Sequence, residues 1–280
     1  MDRIFFVIAL TFFSLGSAQA IPGPFSRYYE SVPIEKAHQT SGYATEEALN
    51  PSKIKVLVWN IFRAKKELWD EEFQRFGEDK NLFLIQEFFQ SPRFLETINS
   101  FSMVRWDLGL TYLYRQLDGA GTGNMVGSST EPSLVLIKHS SCHEPVLQTP
   151  KAMAISKYPL LGREEELLVI SIHAINFTRN KCFQDHIQQA LDEIIKHQGP
   201  VLLAGDFNTH HRARTDYLMK AISKVGLRPV KFIDGHLRMK FGNHFLDHSF
   251  VRGLDVKHAR VFGDAMGSDH KPMVLEVSVL

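Results

Sequence analysis

From Ile54 onward the chain repeats one pattern, a short apolar run that stops at polar residues. Lys55-Val56-Leu57-Val58-Trp59 stops at Asn60, and Leu82-Phe83-Leu84-Ile85 stops at Gln86-Glu87. Leu167 to Ile172 stops at His173, and Val201-Leu202-Leu203-Ala204 stops at Gly205-Asp206. Short runs of branched residues bounded by turn formers predict strands buried on both faces. Leu134 to Lys138, Phe245 to Val251, Ala259 to Phe262 and Met273 to Val279 add further strands. Between them the period changes. Phe183, Ile187, Ala190, Leu191, Ile194 and Ile195 recur at spacings of three and four, the apolar face of a helix that Gly199-Pro200 ends. A second helix is predicted from Thr215 to Lys224, ending near Gly226. So many strands with outer helices need two packed sheets. The expected fold is α/β (α+β), a four-layer α/β/β/α sandwich with two packed mixed sheets.

Three segments depart from this pattern. Ile21 to Ser52 contains Pro22, Pro24, Pro33 and Pro51 and reads as an irregular lead-in. Gly119 to Ser129 holds four glycines and reads as a flexible loop; the Gly-Lys-Ser/Thr ending of a phosphate loop is absent. At the amino end, Met1-Asp2-Arg3 leads into an apolar run from Ile4 to Leu15 and then Ala18-Gln19-Ala20. Those three parts read as a secretory signal peptide cleaved after Ala20. The run is shorter than the roughly 20 apolar residues of a spanning helix. The expected division is therefore a signal peptide over 1–20, an irregular segment over 21–52 and one domain over 53–280. The mature chain is expected to be a monomer, exported to the periplasm or beyond, with no stable membrane anchor.

Composition narrows this only a little. Hydrophobic residues make up 44% and charged residues 22%, which suits a globular domain with a full core. With 32 basic against 31 acidic residues, net charge +1, any grip on a polyanion must be local. The two cysteines, Cys142 and Cys182, favour a single disulfide in an exported chain. No Cys-x-x-Cys pattern exists to suggest a structural zinc site.

Hydrolysis of a phosphate ester needs charge neutralisation, an oriented water, a proton for the leaving group and donors that hold the phosphate. A divalent ion held by oxygen ligands meets the first need. The strand ends and the turns after them offer residues of the right types: Asn60, Glu87, His173, Asp206, Asn208, Asp247, Asp269 and His270. Singly, such acids are commonly turn or cap residues. Their joint placement after buried strands points to a site.

Trp59-Asn60, Ile85-Gln86-Glu87, Ile172-His173, Gly205-Asp206-Phe207-Asn208, Leu246-Asp247-His248 and Ser268-Asp269-His270 occur in the order that resembles the endonuclease/exonuclease/phosphatase superfamily. The similarity runs from about Ile54 to the C-terminus and looks most like an exported bacterial branch. The resemblance implies that Glu87 is the principal metal carboxylate, with Asn60 beside it and Asp269 near the metal. It implies that His270, partnered by Asp247, orients or deprotonates the attacking water. Asp206 would position that water or protonate the leaving oxygen. His173, Asn176 and Asn208 would donate to the phosphate. The implied cofactor is Mg²⁺ or Mn²⁺. Asp247 is followed by His248 and Ser249 rather than the aromatic residue of some branches, which weakens assignment to abasic-site repair.

Asn176-Phe177-Thr178 is also a glycosylation sequon, read here as coincidence because a glycan would block a phosphate site. Basic clusters follow three motifs: Arg63, Lys65 and Lys66; Arg179 and Lys181; His210, His211, Arg212 and Arg214. If the strand ends converge, these loops would ring the site, with Arg63 and Arg212 contacting substrate. The adjacent His210 and His211 are read as loop residues. The favoured function is a low-specificity endonuclease cutting phosphodiester bonds of nucleic acid. Two alternatives stay open. One is a sphingomyelinase-like lipid phosphodiesterase or phosphatase using the same site, although no clear apolar loop for seating on lipid is visible. The other is a non-catalytic binding module.

Overall fold

The structure is a computed structural model and describes residues 28–145 and 148–280, so the signal peptide read at residues 1–20 lies outside the described residues. In chain order come β1 (Tyr29–Ser31), β2 (His38–Gly42), β3 (Ile54–Asn60), α1 (Trp69–Gly77), β4 (Leu82–Phe89), α2 (Pro92–Asn99), β5 (Arg105–Tyr114), β6 (Ala120–Ser128) and β7 (Leu134–His139). They continue with β8 (Ala152–Pro159), β9 (Glu166–His173), α3 (Asn180–Lys196), β10 (Val201–Asp206), α4 (Arg212–Lys224) and β11 (Arg228–Pro229). The last are β12 (Lys240–Phe241), β13 (His244–Phe245), β14 (Asp247–Arg252), β15 (Leu254–Val261) and β16 (Met273–Val279).

One sheet runs β1-β5-β6-β4-β3-β16-β15, with β2 also on β5; the other runs β11-β14-β10-β9-β8-β7. Both are mixed: β3 with β4 and β9 with β10 are parallel, whereas their outer neighbours are antiparallel. β3 shows why its run is apolar throughout. Ile54, Val56 and Val58 pack between the sheets against Val169, Leu202 and Val251, while Leu57 and Trp59 face the helix layer. That layer is α1 and α2, whose Trp69, Phe73 and Phe76 form one stripe against Phe83 and Trp106. Phe73 lies at the centre of it, and its truncation to alanine would cost about 3–5 kcal/mol. On the opposite side, α3 and α4 place Phe183, Ile187, Ile194, Leu218 and Ile222 over the second sheet. The layers are therefore helix, sheet, sheet, helix.

Two expectations are corrected here. The lead-in is not irregular throughout, because β1 and β2 both pair with β5, for example Tyr29 with Tyr114 and His38 with Gly109. Edge pairing uses backbone groups, so it leaves little apolar period to read. The glycine-rich segment is β6, a strand between β4 and β5, not a flexible loop. A Cβ at Gly123 would lie 1.9 Å from the Gly109 carbonyl oxygen, and one at Gly127 would lie 2.4 Å from the Trp106 ring. Those glycines mark close approach within a sheet.

Cys142 and Cys182 are bonded, with their Cα atoms 5.7 Å apart, tying the β7–β8 connection to the first turn of α3. Among the described residues no helix is long and apolar enough to cross a membrane.

Candidate active site

Strand register assembles half of the site. Asp206, the last residue of β10, pairs with His173 of β9 on one side and with Asp247 of β14 on the other. In the first sheet Asn60 pairs with Gln86, and the ladder then shifts between Gln86 and Phe88. Glu87 occupies that irregularity with φ 54°, and a bulge of this kind re-aims a side chain. His270 arrives on the turn before β16. Trp59 Nε1 donates to its carbonyl at 3.0 Å, and Ser268 Oγ donates to the Asn60 carbonyl at 2.7 Å.

The side chains then converge. Asp247 accepts from His270 Nδ1 through both oxygens at 2.9 Å. The far nitrogen of that ring, Nε2, lies 3.8 Å from Asp206 Oδ2, and His173 Nε2 lies 3.5 Å from the same oxygen. His173 Nε2 is also 3.8 Å from Glu87 Oε1. Asn60 Nδ2 donates to Asp206 Oδ2 at 3.1 Å and lies 3.4 Å from Glu87 Oε1. Burial would depress the His270 imidazolium, but Asp247, and then Asp206 and Asp269, push its pKa up to about 10. Burial pushes the Asp206 carboxyl up to about 7, with His270 opposing and Asp247 and Glu87 adding to the rise. His173 is held neutral, well below its ordinary range, by burial and then by the positive Lys151.

Not every candidate residue is brought in. The Arg212 side chain is 89% exposed and faces Asp216. The Asn176 side chain turns toward its own loop, where its Oδ1 accepts from the Phe177 N–H, while its backbone N–H donates to Glu144 in the β7–β8 connection. Asn208 spends its amide on the Ala174 carbonyl at 2.9 Å, and its backbone N–H donates to Asp206 Oδ1. Asn60 likewise keeps Oδ1 for the Phe62 N–H and aims its nitrogen at the carboxylates. Asp269 is exposed, and its hydrogen bond comes from Ser268. The basic ring is also thinner than expected: Lys181 pairs with Asp185, and Arg214 is buried. Arg63 does reach the site, 3.9 Å from Glu87.

Sequence reasoning missed the floor. Gln86 Nε2 donates to Ser171 Oγ, which donates to Asn124 Oδ1, and Asn124 Nδ2 donates to the Ser171 carbonyl. These buried polar groups lock the two sheets together beneath the strand ends. Lys151 was missed too; with Arg63, Tyr112, Glu87 and His173 it lines a narrow cleft beside the carboxylates. Ser171 and Asn124 sit inside apolar or glycine-rich runs, and no local signal separates them from turn formers.

The Endonuclease/Exonuclease/phosphatase family matches residues 57–270. The chain belongs to that family. A UPF0294 protein of Erwinia tasmaniensis is 33% identical over 232 residues, 82% of this chain and 83% of that one. An endonuclease/exonuclease/phosphatase from Beutenbergia cavernae has the same fold, with TM-score 0.65 at 16% identity over 81% of this chain and 72% of that one. The human Nocturnin catalytic domain, solved with a bound sulfate anion, overlays with TM-score 0.57 at 15% identity, covering 89% of this chain and all of that one (100%).

Members of this family are generally metal-dependent phosphoesterases, and the donors present here fit a hard divalent cation. Glu87 and Asp206 share Asn60 and His173 as neighbours. Burial and mutual repulsion keep Asp206 partly protonated, a cost that a bound cation would relieve. Asp206, Asp247 and His270 also offer ligand atoms within 4.8 Å of one another, but both Asp247 oxygens are already engaged by His270.

Proposed function

We propose that this family member is an exported, monomeric phosphodiesterase that uses Mg²⁺ or Mn²⁺ and cuts nucleic-acid backbones with little sequence preference. The observation that carries this reading is the Asp247–His270 pair facing Asp206 and His173 beside Glu87. Held by Glu87 beside Asn60, the metal would neutralise phosphoryl charge. The protein groups supply the rest. His270, held as an imidazolium by Asp247, gives its Nε2 proton to the leaving oxygen as the phosphorus–oxygen bond breaks. Asp206, the buried carboxylate that faces both His270 and His173, accepts the proton of the attacking water. Neutral His173 donates to the phosphate without adding charge, and Arg63 and Lys151 hold the anion in the adjoining cleft.

A lipid phosphodiester is the second reading, and one observation favours it. Phe177 is 75% exposed in the loop after His173, and Phe241 is 64% exposed on the hairpin that leads to Asp247. Residues 21–280, incubated with plasmid DNA, RNA or sphingomyelin vesicles in Mg²⁺ and in excess chelator, separate the two. Metal-dependent nicking is the expected result. Headgroup release without nicking would transfer the same residues to a lipid substrate, and cleavage that persists in chelator would refute the metal-dependent mechanism.

A further inference from the structure

Arg214 is the unusual basic residue of the chain. Only 1% of it is exposed, and it lies in the first turn of α4, where the helix dipole disfavours a cation. Burial pulls its pKa down to about 10, with Glu144 as the charge that opposes the fall. A buried guanidinium is costly unless its donors are used.

Its donors go to the loops that follow the two parallel site strands. Nη1 donates to the Ile175 carbonyl at 2.9 Å and to the Asn208 carbonyl at 3.2 Å, and Nη2 donates to the Thr178 carbonyl at 3.1 Å. The guanidinium also lies over the Phe183 ring, 4.7 Å from its centroid, while Nε has no hydrogen-bond partner among the described residues. Ile175 and Thr178 flank Asn176 on the loop after His173, and Asn208 lies two residues past Asp206. Both loops hold a non-glycine residue at positive φ, Phe177 at 51° and Asn208 at 50°. Such conformations persist only where the surroundings over-determine them.

We infer that Arg214 is a positioning residue that fixes the loop after His173 against the loop after Asp206, and so sets how these two side chains meet a substrate. The consequence for activity rests on the phosphodiesterase reading; the bracing of the loops does not. A planar fork with several donors can serve three carbonyls on two loops at once, which a lysine ammonium on a flexible stem cannot. Replacement should therefore loosen two separate loops together and leave the Asp247–His270 pair in place.

The test compares Arg214→Lys and Arg214→Met with the wild-type full mature chain by hydrogen exchange, thermal melting and turnover. Lysine keeps the charge and most of the stem, so it reports even if the methionine variant does not fold. Faster exchange confined to residues 174–179 and 207–211 is expected in the lysine variant. Its kcat on the substrate that the wild type cleaves should fall at least about tenfold, with the pH limbs of the profile unchanged. Unaltered exchange in either loop, or a kcat within twofold of wild type, would overturn the inference. An inactive wild type would instead sink the phosphodiesterase reading, and the exchange data would still decide the brace.

Discussion

The two sheets contribute to the site in different ways. In the second sheet, His173, Asp206 and Asp247 are direct partners on one rung across three adjacent strands of a regular ladder. In the first sheet, Glu87 is aimed by a bulge, and the turn after Asn60 places Phe62, Arg63 and Ala64 at positive φ. Regular strands place acid and base groups at fixed spacing, whereas irregular backbone swings one carboxylate and one arginine toward the same point. The comparison separates a rigid acid–base half from a half whose geometry depends on local strain. Mutations in the two halves should therefore fail differently.

The largest effect is expected from Glu87→Gln. Loss of the carboxylate should lower turnover at least about a hundredfold, in the range found when a group that stabilises transition-state charge is removed. It should also weaken Mn²⁺ binding measured by calorimetry. Unchanged Mn²⁺ affinity would remove Glu87 from the metal site.

Asp206→Asn should reverse the usual sign for stability. The folded protein keeps a proton on Asp206 up to about pH 7, while the unfolded chain releases it near its ordinary value. Folded protein therefore binds more protons between those pH values, and stability falls as pH rises through that window. The penalty is complete above it and absent below the unfolded value. In chelator at pH 8, the neutral amide in place of the carboxylate should raise the melting temperature by roughly 5–10 °C, corresponding to a few kcal/mol. At pH 4 the gain should vanish, and activity should be lost at both. A melting temperature lowered at pH 8 would mean that Asp206 is not a strained carboxylate.

The smallest effect belongs to Arg212→Ala. Its guanidinium is solvated and faces Asp216, so turnover within twofold of wild type is expected. A larger loss in steady-state assays would place substrate farther out than the cleft beside Arg63 and Lys151.

Much of this molecule is legible in its sequence. Runs such as Leu167 to Ile170 are apolar at every position because each face is covered, and the polar residue that ends each strand lies where parallel strands end together. The helix stripe at Phe183, Ile187 and Ile194 is equally open to reading. What fails to show follows different rules. β6 is glycine-rich because backbone and ring atoms crowd it, which resembles flexibility in a one-dimensional pattern. α1 carries an aromatic stripe over only nine residues, too short to stand out among neighbouring polar positions. Arg214 looks like one more basic loop residue, since its acceptors are carbonyls that no side-chain pattern reveals.

Turnover of His270→Ala tests the central claim most directly. The measurement is steady-state cleavage by the purified variant and the wild type in Mg²⁺, with melting and hydrogen exchange as checks of fold. General acid–base groups typically contribute about 10²–10⁴ in rate, so a folded variant should lose at least about a hundredfold. A folded His270→Ala protein that cleaves at the wild-type rate would show that the chemistry happens somewhere else.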